Sequence, residues 1–244
     1  MAATAASLDA GYHVVECRDV QVLKGIVFSD RTAGECLIEV TELERSEQSG
    51  VTVTAKTSSQ NLQGKPVYHY SGTVKLAKGV RGSDVLPAPD LLAAQPLEGA
   101  TFYESGTLFH GALFRSVKQQ LNISQNRLTL RCVAPICYDS EQGQFPARET
   151  SPWADDALLQ AVLIQARHLQ RSGSLPLKIR QARFYGTVPA SSEFLVTLEV
   201  ISSSPTQLIA RVCSHDAARN IFTRFEGAEA SISEALNEKF VQKT

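Results

Sequence analysis

Hydrophobic and polar residues alternate with a period near two along most of the first third of this chain. Runs at 13–20, 21–28, 35–43, 51–56 and 66–76 put apolar side chains on one face and polar ones on the other, as half-buried strands do. Ser-Gly, Gly-Lys-Pro and the stretch Asp30 to Gly34 punctuate them as turns. Ahead of the strands, the alanine-rich run from Met1 to Leu8 reads as the last turns of a helix stopped by Gly11. No capping residue opens that helix, so the chain is expected to start inside an element. Residues 78–100 are polar, glycine-rich and broken by prolines, the composition of a linker with one short helix near Leu91. The second half then repeats the order of the first. After a mixed stretch at 101–115, a strand is expected over 126–133 and a helix over 154–170, where Leu158, Leu159, Val162, Leu163 and Ala166 form an apolar stripe. Ser172-Gly173-Ser174 stops the helix, and four strands follow at 177–185, 194–202, 207–214 and 220–230. Helix followed by antiparallel meander therefore occurs twice, which makes an α+β chain with segregated elements. Identity between the halves is too weak to constitute a sequence repeat.

Composition narrows the class. With 244 residues, 43% of them hydrophobic, the chain can bury a substantial core. A formal net charge of −1 and no basic block argue against a nucleic-acid or anionic-membrane binder. Cys17, Cys36, Cys132, Cys137 and Cys213 are scattered and odd in number, as expected of reduced thiols in a cytoplasmic protein. Nothing resembles a signal peptide, and no run reaches transmembrane length.

Two stretches could carry chemistry. In Ser151-Pro152-Trp153-Ala154-Asp155-Asp156-Ala157-Leu158-Leu159-Gln160, Asp156 and Gln160 stand at i and i+4, on one helix face. That spacing suits a carboxylic acid near an apolar cavity, its pKa raised by desolvation and its orientation set by an amide. It equally suits a helix start where an aspartate caps the first turn; the two roles coexist if Asp155 is the cap and Asp156 points inward. In Leu108-Phe109-His110-Gly111-Ala112-Leu113-Phe114, a histidine beside a glycine and between aromatics could line a pocket or simply close a turn at the core's edge. No metal-ligand spacing, phosphate loop or nucleophile motif is present.

These two constellations, in this order, resemble the dehydratase domain of iterative polyketide and polyunsaturated fatty acid synthases. Leu108 to Phe114 is similar to that family's Gly-Pro-x-Phe motif, with Ala112 where proline is usual. Asp156-Ala157-Leu158-Leu159-Gln160 is similar to its Asp-x-x-x-Gln motif, and Ser174 to Arg180 to its Leu-Pro stretch. Cys17 to Phe28 and Tyr70 to Val74 resemble strands of the family's first module. The resemblance implies a double hotdog: two tandem modules, each a long helix wrapped by an antiparallel sheet. The modules are expected at 1–80, incomplete at its leading part, and at 101–235, with a linker at 81–100.

By the same resemblance the chain would remove water from 3-hydroxyacyl chains held on the phosphopantetheine of an acyl carrier protein, beside other synthase domains, with no metal or organic cofactor. Asp156 would be the catalytic acid and Gln160 its partner. Phe109, His110, Gly111, Phe114, Leu175 and Pro176 would line the substrate's path. The family's other catalytic residue is a histidine in a His-x-x-x-Gly-x-x-x-x-Pro motif, and none of the five histidines here has glycine four positions on. That motif is therefore expected upstream of Met1, and the chain is expected to be inactive, or nearly so, as written. The alternative is a non-catalytic hotdog that binds an acyl chain or scaffolds its neighbours. A thioesterase-like hotdog would need an activating carboxylate that nothing in the first half supplies.

Overall fold

A computed structural model describes residues 2–7, 11–26, 35–79, 82–86, 94–142, 146–147 and 150–237. Its first helix, α1 (Ala2–Ser7), is short. Gly11 follows at φ 81, a left-handed conformation that costs glycine little. Four strands come next: β1 (Tyr12–Val22), β2 (Leu37–Ser46), β3 (Gly50–Gln60) and β4 (Pro66–Lys78). The runs at 13–20 and 21–28 are not two strands. The first run and the start of the second, Gln21 and Val22, form the single bulged strand β1, whose register against β4 shifts between Val14 and Glu16 and again between Arg18 and Gln21. Asp19, inside the second bulge, takes a positive φ of 48. Residues 27–34 and the expected helix near Leu91 lie outside the described residues.

The segment read as a linker ends in a strand, β5 (Ala94–Glu98), which pairs with β6 (Val117–Ile123). Between them lies α2 (Ala100–Glu104). Asp84, in the same segment, accepts an ion pair from Arg224 at 2.6 Å, so this stretch is tied to the second half. Then follow β7 (Arg127–Val133), α3 (Pro152–Gln170), β8 (Gly173–Phe184), β9 (Glu193–Ser204), β10 (Gln207–His215) and β11 (Ile221–Ser233).

All eleven strands of the described residues join one sheet in the order β2-β3-β4-β1-β8-β11-β10-β9-β7-β6-β5. The order shows the duplication. A helix followed by four strands packs as β2-β3-β4-β1 in one half and, in mirror sequence, as β8-β11-β10-β9 in the other, joined by the antiparallel pair β1–β8. At this seam the buried carboxylate of Glu16 meets Arg18 on its own strand and Arg183, at 3.5 Å, on β8. The sheet wraps α3, which packs against strands β6 to β11. Residues 160–166 of the helix are all buried, nearly two full turns, as in a helix enclosed on every side. This is the α+β architecture the alternation implies.

The start of α3 differs from expectation in one respect. Ser151, not Asp155, occupies the N-cap, and its side chain makes no capping bond. Pro152 takes the first helical position, where its missing N–H costs nothing. Asp155 instead accepts a hydrogen bond from the Thr223 hydroxyl on β11 at 2.8 Å, joining helix to sheet.

Candidate active site

The site is built where the amino-terminal end of α3 meets the loop between α2 and β6. That loop is held by backbone and core. Phe102, Tyr103 and Leu108 are buried, and the Leu108 N–H donates to the Phe102 carbonyl at 2.8 Å. A turn of 3-10 helix at Ala112–Phe114 folds the chain back toward α3. The Ser116 hydroxyl then donates to the Trp153 carbonyl at 3.3 Å, docking the loop on the first turn of the helix.

Docking brings His110 to Asp156. Nε2 of the imidazole lies 3.3 Å from Oδ2 of the carboxyl group, with the two side chains only 13% and 22% exposed. Phe109 stacks on the imidazole, ring centroids 4.9 Å apart and planes 15° from parallel. The Arg115 side chain donates to the His110 carbonyl at 3.1 Å and fixes the backbone.

Gln160 is completely buried one turn along. Its Nε2 donates to Asp156 Oδ2 at 2.7 Å and to the Phe114 carbonyl at 2.6 Å. Its Oε1 accepts from the Tyr103 hydroxyl at 2.7 Å, and that hydroxyl accepts the Val117 N–H at 3.1 Å. Both amide hydrogens and the carbonyl oxygen are used, so the amide has one orientation.

Electrostatics follow from burial. Asp156 is pushed above the usual carboxylate range by loss of hydration, which outweighs the opposing pull of His110 and the Gln160 hydrogen bond. His110 is held below the usual imidazole value by the same loss, against the pull of Asp156. Burial therefore favours the uncharged form of both partners, and a carboxyl so placed is suited to donating a proton. Tyr103 is raised well beyond the range where phenols ionise, first by burial, and stays a hydrogen-bonding alcohol.

The structure thus brings together Asp156, Gln160, His110 and Phe114, with Phe109 stacked at the edge and 40% exposed. Gly111 is exposed, and a Cβ added there would meet nothing within 4 Å, so open space adjoins the loop beside His110. Leu175 and Pro176 are not brought to the site. They pair with Ser231 and Ala230 near the carboxyl-terminal end of α3, whereas Thr223 at the other end of β11 touches Asp155. At about 1.5 Å per residue, α3 puts Asp156 roughly 20 Å from its own last turn. Tyr103 is the participant that sequence reasoning missed; 57 positions separate it from Gln160, and no local pattern links them.

An apolar cavity of about 230 Å³ borders α3 on its other side, between the halves. Cys17, Val20, Ala182, Phe184 and Phe225 line it, with Asp155 rather than Asp156 on its wall. A larger cavity of about 870 Å³, beside Cys36, Ser59 and His69, shares no residue with the site. His69 and His215 are core histidines with both ring nitrogens hydrogen-bonded. No group of three or more metal-binding side chains is present among the described residues. No described helix is long and apolar enough to cross a membrane.

Fold and site together define a double hotdog with a buried acid at the head of its central helix. The comparison with known proteins gives this class a family. The polyketide synthase dehydratase N-terminal domain model matches residues 85–239. One of the polyunsaturated fatty acid synthase subunits of Thraustochytrium sp. is 30% identical over 203 residues, covering 81% of this chain and 7% of that protein. The chain belongs to the polyketide synthase dehydratase family. Among solved structures, the dehydratase domain from the CurF module of the curacin polyketide synthase shares the fold with a TM-score of 0.74, at 17% identity, over 96% of this chain and 81% of that one. The dehydratase domain of RzxB from Pseudomonas fluorescens does so with a TM-score of 0.69, at 14% identity, over 91% and 77%.

Proposed function

We propose that this domain dehydrates 3-hydroxyacyl chains held as thioesters on the phosphopantetheine of an acyl carrier protein, within a cytoplasmic multidomain synthase. The observation that carries the reading is the largely buried Asp156 carboxyl, held by Gln160 at 2.7 Å and pushed above the usual carboxylate range by lost hydration. In the reaction a base removes the proton alpha to the thioester and the C2–C3 double bond forms. The C3–O bond breaks as Asp156 gives its proton to the departing hydroxyl, releasing water and a trans-2-enoyl thioester. The thioester itself acidifies the alpha proton, so the reading needs no metal or organic cofactor. Phe109, His110, Gly111 and Phe114 border the substrate, and Leu175 and Pro176 lie too far away to do so.

His110 sits on the acid's side of the site, so the reading assigns the base to a histidine supplied from outside these residues. Two neighbours in fold, from the CurJ and CurK dehydratases, are described as inactive histidine-to-phenylalanine mutants, which supports the need for one. The same observation favours the second reading, a hotdog that binds acyl chains without reacting.

The test is dehydration of a 3-hydroxyacyl carrier-protein thioester, followed as loss of water by mass spectrometry. The parent polypeptide should turn over, and Asp156→Asn should slow it at least about 10²–10⁴-fold. The 244-residue chain alone should be slower than its parent by a similar factor. Turnover by the chain alone at the parent's rate would overturn the external base. No turnover by the parent would favour the binding module.

A further inference from the structure

The hydrogen bonds around Asp156 run in one direction, and that direction constrains His110. The Tyr103 hydroxyl must donate to Gln160 Oε1, and the Phe114 carbonyl can only accept, so Gln160 presents an N–H to Asp156 Oδ2. Oδ2 also faces His110 Nε2 at 3.3 Å. At that distance two arrangements would make the contact a hydrogen bond: Oδ2–H donating to a bare Nε2, or Nε2–H donating to Oδ2. The separation is long for an O–H donor, whose bonds cluster near 2.7–2.8 Å, and close to the ordinary range for N–H.

His110 Nδ1 decides the rest. It is buried and has no hydrogen-bond partner among the described residues. A proton there would be a buried donor without an acceptor, and in an imidazolium it would also carry charge, the costlier state. The titratable and charged groups on the surrounding elements are Asp156 on α3, Tyr103 on α2 and Arg115 after the 3-10 turn. Arg115 is directed to the His110 carbonyl and the Tyr103 ring, and Asp155 is turned to Thr223.

We infer that His110 is a neutral positioning residue, protonated at Nε2, which together with Gln160 makes Oδ2 of Asp156 the carbonyl oxygen of the acid and leaves the transferable proton on Oδ1. Two N–H donors on Oδ2 then hold the carboxylate that forms when Oδ1 gives its proton away. They leave Asp156 strong enough to act as an acid although burial opposes its ionisation. This rests on the reading of Asp156 as the acid, but its first test does not require turnover.

That test is ¹⁵N spectroscopy of the histidine rings in the labelled chain, with His110 assigned by the signal lost in His110→Gln. The expected signature at pH 7 is a proton on Nε2 and a bare Nδ1. The Nδ1–H tautomer or an imidazolium at that pH overturns the inference, whether or not the domain dehydrates anything. The second test is the carboxyl titration of Asp156 followed by ¹³C. His110→Phe, which removes the donor, should raise the Asp156 midpoint, and His110→Gln, whose amide can replace Nε2–H, should move it back toward the wild type. An unchanged midpoint in His110→Phe overturns the donor role. In the parent polypeptide, His110→Phe should slow dehydration by about 10- to 100-fold, as expected for one hydrogen bond to a charged group, with partial rescue by Gln. Equal loss in both variants would mean that the ring only fills space.

Discussion

The bond between Tyr103 and Gln160 offers a direct measure of how tightly the acid is held. Both groups are buried, and in the chain from the Val117 N–H through Tyr103 and Gln160 to Asp156 the hydroxyl hydrogen has no acceptor but Gln160 Oε1 among the described residues. Gln160→Leu keeps approximately the same bulk but strands that hydrogen. The Phe114 carbonyl suffers less, because it also accepts the Ser116 N–H at 2.9 Å. Asp156 Oδ2 keeps its contact with His110. One stranded donor costs about 1–3 kcal/mol, and the two other lost bonds about 1 kcal/mol each, partly offset by the apolar side chain. The expected net loss is about 2–4 kcal/mol. Tyr103→Phe strands the Gln160 carbonyl and leaves the Val117 N–H without the hydroxyl, with a loss of about 2–4 kcal/mol. In the double variant neither partner of the shared bond is left behind, so its loss should fall short of the sum by about 1–3 kcal/mol. Urea unfolding monitored by circular dichroism measures all three, with the comparison valid where the slopes agree. Additive single losses would refute the argument that this bond orders the site.

Other outcomes follow from the same geometry. A carboxyl whose folded-state pKa is raised contributes stability that is full below its unfolded value, about 3.9, and is lost as pH rises through the folded value. Asp156→Asn, which cannot ionise, should therefore gain stability relative to the wild type as pH rises from about 4 to 8; a pH-independent difference would contradict the buried acid. His110 has the opposite sign: its folded value is depressed, so its contribution is present above about pH 6.5 and lost on acidification, a loss that His110→Gln should reduce in a thermal-melt series. Asp155→Ala should cost about 1–3 kcal/mol by stranding the buried Thr223 hydroxyl, whereas Asp155→Ala/Thr223→Val should recover much of it in urea melts. Exposed Cys36 should alkylate with iodoacetamide in the native chain, while buried Cys17, its thiol pushed up to about 12 by desolvation, should react only on unfolding; peptide mapping distinguishes them.

Where the sequence was legible, the physics was local. The limits of α3 are marked by Pro152 at one end and Ser172-Gly173 at the other, and the helix runs Pro152–Gln170. Strands with apolar inward faces, such as β3 and β11, show their period directly. β6 hid because its buried positions include Gln120 and Asn122, which break the apolar alternation. β5 hid because Pro96 reads as a breaker, although a sheet's edge strand tolerates it. The Asp-x-x-x-Gln spacing put Asp156 and Gln160 on one face without further help, since helical geometry alone requires it. It did not show that neither aspartate caps the helix: Ser151 takes the N-cap, and Asp155 is claimed by a hydroxyl on β11.

The sequence by itself determined most of the elements, their twofold order, and the pairing of Asp156 with its amide, because each depends on contacts within a turn of helix or along a strand. Only the tertiary structure decided that β1 and β8 join the halves into one sheet, that Leu175 and Pro176 lie a helix length from the carboxyl, and that His110 and Tyr103 close around it. Those outcomes depend on how the sheet wraps α3 and how the loop after α2 docks on the helix start, and burial at that junction is what lifts the Asp156 carboxyl above the range of an ordinary aspartate.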